Sequence, residues 1–438
     1  MLETLKKLDK RFLIAISCAI LGPFIYSWIR IFWIADQGSG TIAMASFQTY
    51  IQIAFEVVGA FILVPIFTYK KEEYKRNSLS IFFAVNISLF IMFLITMGLI
   101  PFIFNSMESL NPDIDKKTLL IYLLFQTLTS VLISYEQYLT SEIVVDKKES
   151  KAIILAVTSV LFKVVVDIIF LSNISPFEFN LAYISISSFI STLLIVIIFI
   201  ILYFFGRKKE AKSDSISKDD IVKYYKRGIV PALELFIRNL FYTLVTLKIV
   251  MMLGKKDWNT WNMGGFIYWM ILFRITSIFD YSLLTESLNN EKEMDTNKLM
   301  MFYLGIEFLL FVIVGTILTY TYLPSVIGKE DYLHSSIVLS MAFMPFMIMI
   351  CLQNQIKIKV ISENKYWFLL VATIIENSIL YLPLFFIINF SNIQFSLIDN
   401  YIIFASGIVI ICFINIIQYL YLINKIKLNG KYHSKGNG

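Results

Sequence analysis

The sequence predicts an all-α polytopic membrane protein in which twelve transmembrane helices form two pseudo-symmetric six-helix bundles around a central cavity. Composition is the first indication: of 438 residues, 58% are hydrophobic and only 16% charged, whereas soluble domains are about 45–50% apolar and about 25% charged. The second is that apolar runs of about 20 residues, each able to cross a ~30 Å hydrocarbon core, recur along the chain. The third is the uneven distribution of Lys and Arg between successive connectors.

Windows of about 19 residues divide the chain into twelve candidate spans. The first six predicted spans are 12–34, 43–68, 79–105, 118–142, 150–171 and 181–205. The second six are 226–253, 263–289, 298–322, 334–357, 363–389 and 400–425. The predicted organisation is an N-terminal lobe over 1–205, a cytoplasmic linker over 206–225, a C-terminal lobe over 226–425 and a cytoplasmic tail over 426–438.

The basic residues predict the orientation. One set of alternate connectors, together with both termini, carries 28 Lys and Arg residues, and the opposite set carries five. Because an excess of Lys and Arg marks the cytoplasmic side, we expect both termini in the cytoplasm and the chain in the cytoplasmic (inner) membrane. The net charge of +6 then reflects connectors beside the lipid bilayer and does not indicate a nucleic-acid partner.

A repeated pattern predicts that the two halves are related. In the first span Pro23 is followed after six residues by Arg30, and in the seventh span Pro231 is followed after six residues by Arg238, at an offset of 208. A repeat of six spans predicts parallel halves related by an axis along the membrane normal. The alternative is coincidence within apolar sequence of low complexity.

Charged residues inside the spans are the candidate functional residues. A charge at the bilayer centre costs about 2.5–3.5 kcal/mol on insertion scales, so such side chains face a protein interior or a water-filled cavity. Two charged residues, Lys248 and Glu307, rank lower because they lie nearer span ends or lipid-facing positions. The candidate substrate or ion pathway consists of Arg30, Glu56, Glu136, Lys163, Asp167, Glu234, Arg238, Arg274 and Glu376.

Spacing suggests partners for some of these charges. Glu234 and Arg238 are four residues apart, as are Lys163 and Asp167, so each pair lies on one helix face. Each pair is either a self-neutralising ion pair that permits insertion or part of a network that exchanges partners during transport. The residues without an intrahelical partner are expected to reach across helices: Glu56, Glu136, Arg274 and Glu376.

Other residue types exclude several functions. All three cysteines lie in apolar runs and only two histidines occur, so we expect no disulfide framework, metal site or cofactor. The chain has neither a G-x-x-x-x-G-K-[ST] loop nor an H-E-x-x-H pattern, which argues against an ATP-driven pump and against an enzyme. Four tryptophans near the outer ends of spans are predicted to be interfacial anchors: Trp28, Trp33, Trp258 and Trp261.

Five loose motifs occur in a fixed order along the chain. They are Pro23…Arg30-Ile-Phe-Trp-Ile, Asp146-Lys-Lys-Glu-Ser continuing to Lys163-Val-Val-Val-Asp167, Asn180-Leu-Ala-Tyr-Ile-Ser, Pro231-Ala-Leu-Glu-Leu-Phe-Ile-Arg238 and Glu363-Asn-Lys…Pro383-Leu. Together they resemble the multidrug and toxic compound extrusion (MATE) family of the flippase-like exporter superfamily, over residues 12–425. The resemblance implies two six-helix lobes, an alternating-access rocker mechanism and export driven by entry of Na⁺ or H⁺.

The chain departs from the family pattern at the N-lobe cation site. Family members carry an acidic residue in the first span and Asn-x3-Asp in the fifth, where this sequence has Arg30 and Lys163-x3-Asp167. Our hypothesis is that the fixed cations Arg30 and Lys163 replace Na⁺ or H⁺, so that N-lobe coupling is lost and an anionic or zwitterionic substrate is tolerated. Coupling could still run through Glu234 and Glu376.

The leading functional prediction is a monomeric secondary active exporter of amphipathic small molecules or peptides, acting by alternating access, with antiport against Na⁺ or H⁺ as one mode of coupling. A flippase for lipids or lipid-linked glycans is the alternative transporter and would show a more basic cavity. A non-transporting membrane receptor or scaffold is the alternative of another class. The number of charges within the spans argues against it, since a structural bundle would seldom keep so many.

Overall fold

The protein's structure, a computed structural model, describes the chain from residue 78 onward with short gaps, and before it only isolated helical positions. The described positions before residue 78 are 13–15, 17, 26, 30, 57, 59, 61, 62, 65 and 66. The described segments after them are 78–110, 114–145, 149–172, 175–176, 180–207, 216–288, 295–328, 330–363 and 365–435. Most of the first two predicted spans, Glu56 included, therefore lies outside the described residues.

Ten long helices account for the described segments. Those in the first half are α1 (Ser78–Leu110), α2 (Lys116–Val145), α3 (Glu149–Leu171) and α4 (Ala182–Arg207). Those in the second half are α5 (Lys218–Leu253), α6 (255–288), α7 (Thr296–Ile327), α8 (Leu333–Ser362), α9 (Tyr366–Phe390) and α10 (Leu397–Lys435). One π-helical turn lies within each of α5, α6, α7 and α9.

Length and composition confirm an all-α polytopic membrane protein. Among the described residues, nine helices are long and apolar enough to cross a membrane, and α6 contributes the shorter apolar segment Ile275–Leu284. Each predicted span from the third to the twelfth corresponds to one helix. The lobe boundaries, the cytoplasmic membrane and the orientation of the termini stay predictions.

The start of α5 differs from the predicted span by about two helical turns. The helix begins at Lys218, eight residues before the predicted start. Ser217 caps it by accepting a hydrogen bond from the Asp220 amide, and two aspartates occupy its first turn, where they favour a helix N-terminus. The hydropathy windows did not include this amphipathic turn in the seventh span because its residues are polar. The capping serine and the two aspartates that follow it are nevertheless a recognisable helix-start pattern in the sequence.

Helix packing is most extensive within each half. In the first half α4 packs against α2 and α3, and α1 packs against α2. In the second half α8 is central, in contact with α6, α7 and α10, while α9 packs against α5 and α10. Between the halves, α1 packs against α5, and Ala152 on α3 shares a buried apolar cluster with Ile278 on α6. The start of α5 therefore belongs to the contact between the halves.

Two tyrosines hold this contact at the end of the molecule where α5 begins, which we call the linker end. The hydroxyl of Tyr224 donates to the carbonyl oxygen of Ile62 at 2.7 Å. The hydroxyl of Tyr225 donates to the carbonyl oxygen of Ala84 on α1 at 3.0 Å. These bonds join the second half of the chain to the second and third predicted spans.

Two of the four tryptophans predicted to be interfacial anchors are buried instead, and the other two, Trp28 and Trp33, lie outside the described residues. Trp258 and Trp261 are 1% and 4% exposed and belong to the largest apolar cluster. The Trp261 ring meets Phe343 on α8 and Phe404 on α10 edge to face, with centroids 5.2 and 5.7 Å apart. Because α6 already starts at Lys255, these side chains lie within the helix and face its neighbours.

Candidate functional site

A buried ion pair occupies the predicted N-lobe site. The Nε atom of Arg30 lies 3.4 Å from Oδ2 of Asp167 on α3. Arg30 is 7% exposed and Asp167 is 0% exposed. The hydroxyl of Tyr26 also donates to Oδ2 of Asp167, at 2.7 Å. A protein cation and a phenol therefore already neutralise and solvate the aspartate.

The remaining guanidinium donors of Arg30 bind the first turns of α4. One terminal nitrogen donates to the Ser188 hydroxyl. The other donates to the carbonyl oxygen of Ile184 and to the Ser187 hydroxyl. Serines in an apolar span commonly hydrogen-bond across helices, and here they supply acceptors for a buried cation. Arg30 therefore joins the first predicted span to both α3 and α4.

The second predicted cation, Lys163, binds an acid on another helix. Its ammonium lies 2.8 Å from Oε2 of Glu136 on α2, and the Ser159 hydroxyl donates to Oε1 of Glu136 at 2.7 Å. The expected i,i+4 pair with Asp167 was wrong, since Arg30 neutralises Asp167. Reaching to α2 lets Lys163 neutralise a second buried carboxylate that would otherwise lack a cation among the described side chains.

These four residues form what we call the N-lobe charge cluster: Arg30, Glu136, Lys163 and Asp167. The ring of Tyr26 lies near both of its cations, 5.9 Å from the Arg30 guanidinium and 6.0 Å from the Lys163 ammonium. Such distances allow cation–π attraction. The cluster has two positive and two negative side chains, so its charges balance without a bound ion.

A second charge cluster lies in the other half of the chain, around Glu234 on α5. Its Oε1 lies 2.7 Å from the ammonium of Lys357 on α8 and 3.7 Å from the guanidinium of Arg238. The Thr373 hydroxyl on α9 also donates to this oxygen, at 3.1 Å. The i,i+4 pair expected between Glu234 and Arg238 is present. Lys357 nevertheless makes the shorter contact.

Glu376 completes this C-lobe charge cluster, which comprises Glu234, Arg238, Lys357 and Glu376. It is 4% exposed, follows Thr373 by one turn of α9, and lies near enough to Arg238 and Lys357 to feel their charges. The Arg238 side chain is 35% exposed, whereas that of Lys357 is only 11% exposed. Arg238 therefore has a more exposed side chain than Lys357 or Glu234 in this cluster.

Lys357 is the main residue that sequence reasoning missed. Lys357 is the last residue of the tenth predicted span, next to a connector, whereas α8 continues to Ser362 and the Lys357 side chain is buried. Sequence reasoning also missed the hydroxyl and phenol groups that hydrogen-bond to the charged residues of the two clusters. Each of these groups lies within a span, either one helical turn from a charged residue or in a run of serines. They are Tyr26, Ser159, Ser187, Ser188 and Thr373.

Replacing Lys357 with Met is expected to lower the free energy of unfolding by about 3 kcal/mol, near the lower end for a broken buried ion pair because Arg238 remains beside Glu234. The measurement is denaturant unfolding of the purified protein in detergent. Lys359→Met is the matched control, since the Lys359 ammonium binds only the Thr296 hydroxyl among the described groups. Equal losses in the two variants would contradict an energetic role for the Lys357–Glu234 pair.

The other sequence candidates have separate outcomes. Glu56 lies outside the described residues, and Arg274 lies on α6 with a side chain outside the described part. The ammonium of Lys248 donates to the side-chain oxygen of Asn389. Glu307, ranked low as near a lipid-facing position, is only 1% exposed. Its burial arises because α7 turns this face toward α6 and α8.

Comparison with known proteins identifies the fold. No family model matches the chain, and no curated protein matches its sequence. Among solved structures, a multidrug resistance MATE family transporter of the MOP superfamily, in an outward-facing conformation, is similar with a TM-score of 0.68 and 12% identity. The similarity covers 95% of each chain.

Two further structures extend the likeness. A MOP superfamily transporter from Pyrococcus furiosus, for which reverse polarity of the binding pocket suggests a different function, has a TM-score of 0.68 at 12% identity over 95% of each chain. A MATE protein in the straight conformation has a TM-score of 0.64 at 14% identity, over 97% of this chain and 96% of that one. At such low identity the likeness establishes the fold.

Proposed function

We propose, from the premise that the chain has the fold of MATE family transporters, that it is a secondary active exporter working by alternating access. Its substrates are amphipathic small molecules or peptides, and it acts as a monomer without a cofactor. The observation that carries the proposal is a pair of charge clusters, one in each half of the chain, each built from side chains on different helices. Buried charges of this kind mark substrate or ion routes in membrane proteins.

The N-lobe charge cluster favours transport that is not coupled to an ion in this half of the chain. Arg30 contacts Asp167 directly, and Lys163 is committed to Glu136. A Na⁺ ion or proton at Asp167 would have to compete with a guanidinium that is also held by hydrogen bonds to α4 and by the Tyr26 ring. Neutralisation by a fixed cation does not depend on an ion gradient.

Arg238 favours an anionic or zwitterionic substrate. Its guanidinium lies 3.7 Å from Glu234, farther than the Lys357 ammonium, and its side chain is more exposed than those of Glu234 and Lys357. A carboxylate or phosphate group on a substrate could form a bidentate contact with it. The Glu234–Lys357 pair would remain intact during such binding.

The decisive experiment is transport in proteoliposomes with matched anionic, zwitterionic and cationic amphiphiles, with and without a Na⁺ or proton gradient. We expect transport of anionic or zwitterionic compounds, severalfold slower in Arg238→Gln. Lys248→Gln is the control, since Lys248 lies outside both clusters. Gradient-dependent efflux of cationic drugs that is abolished by Asp167→Asn would contradict the proposal.

The equal numbers of acids and bases in each cluster favour an exporter over a lipid or lipid-linked glycan flippase. A flippase would be expected to present a basic excess to a phosphate headgroup. Scrambling of fluorescent lipids in the same proteoliposomes tests this alternative. A receptor or scaffold would move neither the amphiphiles nor the lipids.

A further inference from the structure

The first turns of α5 have an inner face that contacts the first half of the chain and an outer face that carries exposed lysines. We call residues 217–228 the α5 start segment. On its inner face Tyr224 is 0% exposed, and Tyr224 and Tyr225 make the hydrogen bonds that join α5 to the first half. The Ser217 amide donates to the Ser80 hydroxyl on α1 at 2.8 Å. The inner face is therefore fixed to protein at three points.

The outer face of the α5 start segment carries three exposed lysines, which we call the outer lysines: Lys218, Lys223 and Lys226. Among the described side chains, no acid forms an ion pair with Lys218 or Lys226. By contrast Lys256, at the opposite end of the molecule, pairs with Asp331 at 2.9 Å. The outer face therefore presents positive charge that protein acids do not fully neutralise.

Lys226 continues an exposed apolar stripe along α5. Ile229, Leu233 and Phe236 are 56%, 42% and 50% exposed, and their spacing of three and four residues places them on one side of the helix. Lys226 comes three residues before Ile229 and lies on the same side. The side of α5 that is suited to lipid chains therefore ends in a lysine where the polar segment begins.

The length of α5 places the outer lysines at the lipid headgroups or just beyond them. The helix has 36 residues and is about 54 Å long, whereas the hydrocarbon core is ~30 Å thick. Residues 229–253 are mostly apolar and residues 218–227 mostly polar, so the excess length lies at the start of the helix. Along the axis, Lys226 is about 4.5 Å and Lys218 about 16 Å from Ile229. These distances keep the lysines within the surface potential of the membrane.

The local charge balance complements an anionic headgroup. From residue 206 to residue 227 the sequence contains eight Lys and Arg residues and four Asp and Glu residues. Clusters of about four to eight basic residues beside a membrane span attract anionic lipids. The two aspartates of the helix, Asp219 and Asp220, lie in its first turn, where they favour the helix N-terminus. The excess of positive charge therefore remains available to lipid phosphates.

We propose that the outer lysines bind the phosphate groups of anionic phospholipids, and that this binding stabilises the contact between the α5 start segment and the first half of the chain. Lipid on the outer face and protein on the inner face hold one helical segment, so each stabilises the position that the other requires. In the predicted orientation these lipids belong to the cytoplasmic leaflet. The binding does not depend on the proposed transport function.

The test is thermal unfolding of the purified full-length protein in detergent micelles that contain either phosphatidylglycerol or phosphatidylcholine with the same acyl chains. We expect Tm to rise saturably with phosphatidylglycerol and much less with phosphatidylcholine, because each lysine near an anionic surface raises affinity about fivefold. NaCl should reduce the difference by screening. Equal effects of the two lipids, or an equal rise with inorganic phosphate at the same ionic strength, would overturn the proposal.

The triple variant Lys218→Gln/Lys223→Gln/Lys226→Gln is expected to lose the rise that is specific to phosphatidylglycerol. The three residues are exposed, so the variant should fold, and its Tm in phosphatidylcholine checks this. Replacement of all three by Arg keeps the charge and should keep the response. Loss of the response in the Arg variant as well would show that positive charge is not what the lipid recognises.

The matched control removes three exposed lysines from the opposite end of the molecule: Lys116→Gln, Lys117→Gln and Lys255→Gln. It changes the net charge equally and should leave the response to phosphatidylglycerol intact. An equal loss in the control and in the triple Gln variant would mean that net charge alone attracts the lipid. That result would reject a site on the α5 start segment.

A distance measurement tests the effect on the contact between the halves. With spin labels at the linker ends of α1 and α5, nanodiscs of phosphatidylglycerol should give a shorter and narrower distance distribution than nanodiscs of phosphatidylcholine. The triple Gln variant should show no such dependence on lipid. Identical distributions for the wild type in the two lipids would refute the stabilisation of the contact. Failure of the proteoliposome transport assay would reject the export function and leave these results unaffected.

Discussion

Replacing Arg30 with Gln is expected to lower the free energy of unfolding by about 3–5 kcal/mol, the range seen when one partner of a buried ion pair is removed. The loss arises because Asp167 is 0% exposed and would keep only the Tyr26 hydroxyl as a donor among the described groups. Denaturant unfolding in detergent measures it. Lys116→Gln is the control, since the ion pair of Lys116 with Glu108 is exposed and contributes little.

The double variant Arg30→Gln/Asp167→Asn separates the ion pair from general packing. Removing both charges leaves two neutral polar groups, so most of the lost stability should return, and the double-mutant cycle should show strong coupling. Arg30→Gln alone should also become more stable on addition of Na⁺, because an ion could take the vacated place beside Asp167. Additive losses, or a loss no larger than that of Lys116→Gln, would show that Arg30 does not replace an ion.

Replacing Gly228 with Ala is expected to open the linker end of the molecule. A Cβ atom at Gly228 would lie 2.5 Å from the backbone oxygen of Phe61 and 3.1 Å from Cγ of Pro65. Because a carbonyl oxygen in a helix cannot move aside cheaply, α5 must shift from the first half of the chain. That shift strains the hydrogen bonds by which Tyr224 and Tyr225 join α5 to the first half of the chain.

Spin labels at the linker ends of α1 and α5 measure this effect as a longer distance in Gly228→Ala. The proposed alternating-access mechanism requires this contact to break and re-form, so that proposal also predicts a severalfold loss of transport. Gly305→Ala is the matched control, because an added Cβ there meets no atom within 4 Å. Because Ala has a higher helix propensity than Gly, Gly305→Ala should leave the free energy of unfolding unchanged or raise it by up to about 1 kcal/mol. Unchanged distances in Gly228→Ala would refute the closing role of this contact.

Sequence patterns predicted most of the helices because membrane insertion is a local property. Each apolar run must be long enough to cross the hydrocarbon core, and each charge within it must be hidden from lipid. The same rule identified Arg30, Glu136, Asp167 and Glu234 as buried. It failed at the polar ends of α5 and α8, where a helix continues past its apolar segment and carries Lys357 inward.

The sequence by itself determined the fold class, the positions of ten helices and the fact that charges are buried. Only the tertiary structure decided which charges meet. The partners in the ion pairs are 27, 123 and 137 residues apart, as in Lys163 with Glu136, Lys357 with Glu234 and Arg30 with Asp167. Helical periodicity relates neighbours within about one turn, whereas interhelical pairing depends on how the helices pack and rotate. For that reason spacing correctly placed Arg238 beside Glu234 but gave Lys163 the wrong partner.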